Sequence, residues 1–328
     1  MNITFYPWLI IPYKKIINSY NKNHLHHTII VQSNNLQDTF KLIWAIIRWI
    51  VCTKRLKFKS CGICKGCTLI LNKNHPDCYF LYPKTNKNFL EVELIRNTIK
   101  SLLNTAQQHG KKIFWIPNYS TLTTFGINAL LSIIETPPKN TFFFIGHDVS
   151  KKIHLTFRSR CLIYHIVKPT EKIALQWIQK QINLTKQSYL VAIRISENNP
   201  ILAKKILTSN IWNQRKELYH QIHLSIQNNN FIKLLSILNY NTIIKINWII
   251  LLLLDAMKFK KHLLILLINL DQKLLIEKII QNYSYKYLNK ITKSWIKCRY
   301  QLINIKNINY ELLILKQLIK WEKKYKIL

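Results

Sequence analysis

Four closely spaced cysteines constrain this sequence more than any other feature. They follow the pattern C-x8-C-x2-C-x2-C and are Cys52, Cys61, Cys64 and Cys67. Two-residue gaps let a tight turn direct consecutive sulfurs at one point, about 2.3 Å from a tetrahedral zinc ion. Gly62 and Gly66 lie between the cysteines and supply the permissive backbone that such turns need. The spacing therefore favours a zinc module at residues 52–67.

An iron–sulfur cluster and a set of unrelated thiols are the competing interpretations. A bacterial iron–sulfur run continues C-x3-C-P after its third cysteine, whereas Leu71 stands at that position. A disulfide between Cys61 and Cys64 would close a very short loop, and residues 1–13 do not resemble a secretory signal. Zinc is the prediction, with the cytoplasm as the expected compartment.

Length and charge limit the class of protein. At 328 residues the chain exceeds one comfortable hydrophobic core, so two or three domains are expected. The formal net charge of +35 suggests contact with polyanions. Abundant Lys, Asn and Ile are also what an AT-rich coding sequence produces, so both interpretations stay open. The longest apolar run, residues 248–254, is much shorter than the roughly 20 residues of a spanning helix, and no membrane segment is predicted.

Strands and helices alternate in the first half of the chain. Predicted strands cover residues 28–32, 78–82, 112–116, 141–145 and 161–167, and predicted helices cover residues 36–51, 91–107 and 122–134. This alternation predicts an α/β fold with a parallel sheet covered on both faces. After residue 168 the pattern is helical, with breaks at 198–200 and 228–230 that separate a segment at 169–208 from a bundle or collar at 209–328. The apolar residues 263–267 are expected to be core rather than a partner surface.

The loop after the first strand lacks the parts of a phosphate site. A nucleotide-binding α/β domain carries G-x-x-x-x-G-K-[ST] there, but residues 32–39 read QSNNLQDT, without Gly or Lys. Backbone amides therefore cannot wrap closely around phosphates. Pro117 and Asn118 stand where an acid that holds magnesium is expected, directly after the strand KIFWI. The sequence predicts that this chain neither binds nor hydrolyses ATP.

One segment typical of nucleotide chemistry remains, FRSRC at residues 157–161, directly before the last predicted strand. An arginine there can project from the domain edge and offset the charge that develops on a neighbour's γ-phosphoryl group. A surface arginine that caps a strand or pairs with a carboxylate is the simpler interpretation of so short a motif.

Several motifs occur in the order found in one family. They are YPW at residues 6–8, HLHHT at 24–28, SCGxCxGC at 60–67, HPD at 75–77, NALL at 128–131, ETPP at 135–138 and SRC at 159–161. Over residues 1–168 the chain resembles the delta-prime subunit of the bacterial DNA polymerase III clamp loader. Beyond that the match is thin, although LDAMK at 254–258 resembles the family's collar.

The resemblance implies an AAA+ protein of three domains. These are a RecA-like core with the zinc module at 1–168, a small helical lid at 169–208 and an all-α collar at 209–328. It also implies a stator that hydrolyses no ATP and sits in a five-subunit ring with the ATPase motor subunits and delta. Such a ring loads a sliding clamp onto primer-template DNA.

The resemblance also assigns roles to single residues. Arg160 would be an arginine finger directed at an adjacent subunit's ATP, with Ser159 and Cys161 fixing its position. The four cysteines match the family's zinc ligands one for one. Two departures stand out: the phosphate loop has lost even the glycines that relatives can keep, and Asn198-Asn199-Pro200 replaces a Gly/Ser-rich turn expected in the lid.

Two other classes of function compete with this interpretation. An independent zinc-dependent nucleic-acid binder would explain the cysteines and the charge, but such proteins usually carry basic and polar residues on a helix beside the metal. The helix that ends at Val51 is mostly apolar. A self-sufficient ATPase is disfavoured by the loop at residues 32–39.

Overall fold

The computed structural model describes residues 5–84, 87–108, 110–305 and 308–323. The chain divides into two compact units, Met1–Lys168 and Pro169–Leu328. Strands and helices alternate in the first unit, whereas the described part of the second unit contains helices and turns. None of the described helices is long and apolar enough to cross a membrane.

A five-stranded parallel sheet forms the centre of the first unit, with strand order β2-β3-β4-β1-β5. The strands are β1 (Thr28–Ser33), β2 (Cys78–Phe80), β3 (Lys112–Ile116), β4 (Thr141–Asp148) and β5 (Leu162–His165). Ile30 on β1 faces Ile145 on β4 and Ile163 on β5. Its β-branched neighbours along β1 are fully buried, as in sheets covered on both faces. The predicted parallel α/β fold class is confirmed.

Six α-helices connect and cover the strands of the described first unit. They are α1 (Ile10–Asn21), α2 (Leu36–Val51), α3 (Lys65–Leu71), α4 (Val92–Leu103), α5 (Thr124–Glu135) and α6 (Leu155–Arg158). Helix α2 begins after Asn35, whose side chain accepts the Gln37 amide, and ends before the extended Cys52. Its apolar residues recur at helical spacing, so one face is buried under the sheet.

Three observed elements end earlier than the sequence predicts. Strand β2 was expected over 78–82 and ends at Phe80. Strand β5 was expected over 161–167 but covers Leu162–His165. Its last paired residue, His165, lies opposite Gln32, and the neighbouring strand β1 ends one residue further on, at Ser33. Helix α4 was expected over 91–107 and ends at Leu103. The backbone of Asn104 is extended, so the helix cannot continue through this residue.

The second unit contains helices around two hydrophobic clusters. The helices are α7 (Glu171–Gln179), α8 (Lys186–Ile195), α9 (Pro200–Thr208), α10 (Ile211–Asn228), α11 (Leu234–Leu238), α12 (Thr242–Lys260), α13 (Lys273–Asn282), α14 (Tyr285–Asn304) and α15 (Tyr310–Lys323). One cluster holds buried residues from Ala174 to Trp212, and the other holds buried residues from Leu218 to Trp321. The division into a lid at 169–208 and a collar at 209–328 stays a prediction.

The expectation that residues 263–267 form core is wrong for four of the five. Leu263, Leu264, Ile265 and Leu266 are between 46% and 87% exposed, and only Leu267 is buried. Helix α12 ends at Lys260, and His262 adopts a left-handed backbone. The apolar run that follows forms a short 3-10 turn rather than an α-helix, so α-helical periodicity does not decide which side chains face inward.

Candidate metal centre and the nucleotide-site region

The four predicted zinc ligands lie together. The Sγ atoms of Cys52, Cys61, Cys64 and Cys67 are all within 4.8 Å of one another. The Cys52–Cys61, Cys52–Cys64 and Cys61–Cys67 sulfur pairs are 3.5, 3.8 and 4.0 Å apart. Four ligands at about 2.3 Å from a tetrahedral ion have edges of about 3.8 Å, so the separations fit one zinc ion. They are too long for disulfides, whose S–S bond is about 2.05 Å.

Two helix ends and one turn position these cysteines. Cys52 follows the last residue of α2, Cys64 is the N-cap of α3, and Cys67 lies in the first turn of α3. Gly66 permits the close approach of these helices, because a Cβ there would stand 2.4 Å from the Val51 carbonyl oxygen. Gly62 has a φ of +81°, which favours glycine in the turn after Cys61.

Local donors prepare the sulfurs for a metal. The amides of Cys61 and Cys64 donate to the sulfurs of Cys52 and Cys61, at 3.3 and 3.4 Å. Burial opposes ionisation of Cys64, but hydrogen bonds led by Thr53 outweigh it and lower its pKa to about 5. Burial raises the pKa of the Cys52 and Cys67 thiols, so those two require a cation to become thiolates. The cluster could hold a metal ion such as zinc.

The connection between β1 and α2 is only two residues long. The Ser33 Oγ accepts the Asn35 amide at 3.2 Å, and the Asn35 Oδ1 accepts the Gln37 amide at 3.1 Å. These backbone donors at the helix N-terminus are the groups that bind phosphate in nucleotide-binding folds. In this chain the Ser33 and Asn35 side chains accept hydrogen bonds from two amides at this position.

A carboxylate also occupies the first turn of α2. Asp38 is buried with 8% exposure. Burial raises the pKa of its carboxyl to about 6, although Trp8 and Lys41 oppose that shift. The helix dipole attracts a negative charge to this position. When Asp38 is ionised, it takes that role and repels a triphosphate.

The position after β3 is also built without a metal-binding acid. Asn118 caps a 3-10 turn at Tyr119–Thr121, and its Oδ1 accepts the Ser120 amide at 3.0 Å. The only group of three or more His, Cys, Asp or Glu side chains suited to a metal, within the described ranges, is the cysteine cluster. Among those residues, no set of carboxylates for magnesium follows β3.

Arg160 lies between α6 and β5 at the surface, with 39% of its side chain exposed. Its Nε is 2.5 Å from the Glu135 Oε1 at the end of α5. Its Nη1 donates to the Thr156 carbonyl at 2.8 Å and contacts the Ser159 Oγ at 3.4 Å. Ser159 Oγ in turn donates to the same carbonyl at 3.0 Å. Cys161 packs partly buried against the core, and its burial raises the pKa of the thiol to about 12.

Two acids have structural roles that sequence reasoning did not assign. Asp77 is buried, and its carboxylate accepts the amides of Gln107 and Gln108 at 2.8 and 2.6 Å. In the second unit, the fully buried Asp255 accepts the amides of Ile268 and Asn269. Both belong to motifs that carry the resemblance, HPD and LDAMK, but their partners are distant in sequence.

A second buried polar group adjoins Asp255. Arg215 is fully buried and donates to both carboxylate oxygens of Asp271, at 2.6 and 2.8 Å, and to Asn269 at 2.8 Å. Tyr219 donates to the same Asn269 oxygen at 2.9 Å. This network ties α10 to the segment that follows α12 and gives the buried guanidinium its ionic partner.

Comparisons with known proteins agree along the chain. A family model described as "DNA polymerase III, delta subunit" matches residues 11–170, and one described as "DNA polymerase III, delta subunit, C terminal" matches residues 209–323. A Buchnera aphidicola (subspecies Schizaphis graminum) protein named "DNA polymerase III subunit delta'" is 40% identical, and the alignment covers 97% of each chain. The Escherichia coli K12 protein of that name is 31% identical, with 97% of this chain and 95% of the relative covered.

Solved structures give a weaker likeness. A Thermotoga maritima "dna polymerase iii, gamma subunit-related protein" aligns over 96% of this chain and 99% of its own at 13% identity, with a TM-score of 0.43. A likeness of that size does not bear on the function of this chain. The sequence relatives are much stronger, because several at 30% identity or more extend over nearly the whole length of both chains. The chain therefore belongs to the family of DNA polymerase III delta' subunits.

Proposed function

We propose that this chain is a non-hydrolysing stator of the DNA polymerase III clamp loader. It helps to load the sliding clamp onto primer-template DNA and uses the ATP of neighbouring motor subunits. Its partners are those subunits and delta in a five-subunit ring, together with the clamp and the DNA. The named relatives support a place in DNA polymerase III.

The observation that carries the stator role is the N-terminus of α2. Ser33 engages the amide of the N-cap Asn35, Asn35 engages the Gln37 amide in the first turn, and the same turn carries the buried carboxyl of Asp38. A bound triphosphate would have to displace these contacts and approach the acid. Without a lysine or a magnesium ligand to offset that cost, ATP capture by this subunit is unfavourable.

Arg160 is the group that such a subunit can still offer. Its side chain is partly exposed just after the short helix α6, and the Nη1 of its guanidinium donates to the Thr156 carbonyl and contacts the Ser159 Oγ. In the assembled loader we assign it as a trans arginine finger that offsets charge on the γ-phosphoryl group of an adjacent subunit's ATP. The pair with Glu135 is then the state of the arginine in the free chain.

The cysteine cluster has a separate, structural role in this proposal. Cys52, Cys61, Cys64 and Cys67 would hold one zinc ion as a closed four-thiolate site, which leaves no position for a substrate. The ion would fix the segment between α2 and α3. Trp49 supports the same segment, because its Nε1 donates to the Leu56 carbonyl at 3.2 Å.

Clamp- and DNA-stimulated ATP turnover of the reconstituted loader tests the proposal. Arg160→Ala in this chain should lower turnover, since an arginine finger contributes about 10³- to 10⁵-fold at the site it serves. Arg160→Lys should lower it too, because lysine lacks the planar fork. Arg158→Ala, a change at a nearby exposed arginine, is the matched control. Gel filtration confirms assembly, and unchanged turnover in an assembled Arg160→Ala loader would contradict the finger role.

A further inference from the structure

A cavity of about 550 Å³ lies in the first unit between α1, α2 and the loop of the cysteine module. We propose that it binds one nucleotide of single-stranded DNA, with the base against its aromatic walls and a phosphate against its cations. This would give the subunit a DNA contact of its own, apart from both the Arg160 segment and the zinc ligands. Cavities of about 300–1,000 Å³ are typical of ligand sites.

Helix α2 supplies one continuous wall of the cavity. Lys41, Trp44, Ala45 and Arg48 line it at the i, i+3, i+4 and i+7 spacing of a single helix face. The small side chain of Ala45 leaves open space between its larger neighbours. The opposite wall comes from α1, where Tyr13 is one of the lining residues.

The titratable side chains of the lining make the cavity cationic. Lys14, Lys41, Arg48 and Lys59 line it, and no acidic residue is among the described lining residues. Lys41 is already engaged, because its Nζ lies 3.5 Å from the centre of the Tyr6 ring. We assign Lys14 on α1 and Arg48 on α2 to the phosphate, because they lie on the two helices that form opposite walls.

Of these two cations, Arg48 has the stronger structural reason to bind a phosphate. Its Nε is buried and has no hydrogen-bond partner among the residues that the structure describes. A buried guanidinium nitrogen without an acceptor is costly, and an anionic oxygen would remove that cost. The Nζ of Lys14 lies 5.5 Å from the centre of the Phe58 ring in the module loop, which also lines the cavity.

The apolar part of the lining favours a planar group beside the anion. Phe5 and Tyr13 meet edge to face at 5.5 Å, and Trp44 and Phe58 add further ring surface. Trp44 is buried, and its Nε1 has no acceptor within the described ranges. A nucleotide offers both a base to stack and oxygen atoms to accept such donors.

Single-stranded DNA fits this lining better than a free triphosphate does. The described lining has no carboxylate to hold the magnesium ion that accompanies ATP, and two of its walls are helix faces, which present side chains rather than backbone amides. A duplex hides the faces of its bases, whereas a single strand exposes them. The choice of DNA as the source of the nucleotide rests on the proposed clamp-loading role.

Binding of short oligonucleotides to the zinc-loaded full-length chain tests the site. Fluorescence anisotropy with an end-labelled oligothymidylate should show affinity in the range of about 10⁻⁴ to 10⁻⁶ M at physiological salt, as for other sequence-independent contacts. An abasic oligonucleotide of the same length should bind about tenfold more weakly, because it lacks the bases that stack against the aromatic walls. Thymidine monophosphate should compete more weakly than oligothymidylate, because a strand also brings a neighbouring phosphate to further cations of the lining, such as Lys59.

Charge-matched variants locate the contact. Lys14→Gln with Arg48→Gln should weaken oligothymidylate binding about tenfold and make the slope of log K against log salt shallower by about 0.7 for each phosphate that is no longer neutralised. Arg96→Gln with Lys139→Gln removes the same charge from exposed positions outside the cavity lining and should change affinity less than twofold, about 0.4 kcal/mol. Equal melting temperatures and zinc contents show that the variants are folded.

Three outcomes would overturn the proposal. The abasic strand would bind as tightly as oligothymidylate, both double variants would weaken binding equally, or an acidic aromatic peptide would displace the probe at lower concentration than the mononucleotide does. The comparison of strands uses the unaltered chain, so it stands even if a variant is unstable. Loss of this site leaves the Arg160 turnover test untouched, so the two proposals fail separately.

Discussion

The ion pair between Arg160 and Glu135 makes a quantitative prediction about the arginine finger. If Arg160 acts on a neighbour's ATP, it must first leave the Glu135 carboxylate, 2.5 Å from its Nε. Glu135→Gln removes the competing charge and keeps the length of the side chain. The variant should therefore favour the state in which the arginine is free to reach its neighbour.

The expected gain is small because the pair is exposed. The side chains of Arg160 and Glu135 are 39% and 48% exposed. Ion pairs of this kind contribute about 0.2–1 kcal/mol. Since about 1.36 kcal/mol is tenfold in rate, ATP turnover in the reconstituted loader should rise by about 1.4- to 5-fold. The contacts of the Arg160 Nη1 with Thr156 and Ser159 are present in both proteins, so they do not contribute to the expected difference.

The assay is clamp- and DNA-stimulated ATP turnover, with Glu91→Gln as the matched control. Glu91 pairs with Lys84 and Lys87 at the surface of the same unit, so its replacement removes ion pairs that do not include Arg160. The control should leave turnover unchanged. A fall in turnover of the Glu135→Gln loader comparable with that of Arg160→Ala would contradict this prediction, because it would make Glu135 a required partner of the arginine rather than a competitor.

Three further predictions concern metal, stability and pH. Metal analysis of the unaltered chain should find about one zinc ion per chain. Cys64→Ser should lose that ion and expose residues 53–66 to protease, whereas Cys161→Ser should keep it. Full zinc content in Cys64→Ser would contradict the prediction. Asp271→Asn should lower the free energy of unfolding, measured in urea, by about 3 kcal/mol, because Arg215 is fully buried and loses its ionic partner. A decrease below about 1 kcal/mol would show that the ion pair does not stabilise the fold in this way. Asp38 has a folded-state pKa of about 6 against an ordinary 3.8, so the folded state binds the extra proton and stability falls as pH rises between those values. Asp38→Asn should therefore gain up to about 3 kcal/mol relative to the unaltered chain between about pH 4 and 7.5, and equal pH profiles would contradict this.

The sequence alone predicts those elements whose structure depends on residues close together in the chain. Helix α2 occupies residues 36–51 as predicted, because Asn35 caps its start and its apolar residues keep one period throughout. The four cysteines converge because their spacing and two glycines determine a compact turn. Strand β3 also has its predicted bounds, since every residue of KIFWI is buried.

Contacts between distant segments could not be predicted in the same way. The general possibility that Arg160 pairs with a carboxylate follows from sequence, but only the fold brings it to Glu135. The cavity walls come from α1, α2 and the module loop, so no single window of sequence displays the site. The exposed residues 263–266 were misjudged because apolar composition was taken as a helical stripe in a segment that is not an α-helix.

Equilibrium binding of ATP to the purified, zinc-loaded chain in the presence of magnesium decides whether this subunit can hold a nucleotide of its own. We expect no saturable binding below about 1 mM, the upper end of usual enzyme affinities, because the chain's own side chains engage the α2 N-terminus. Saturable binding of one ATP per chain at micromolar concentration would show that the stator assignment is wrong.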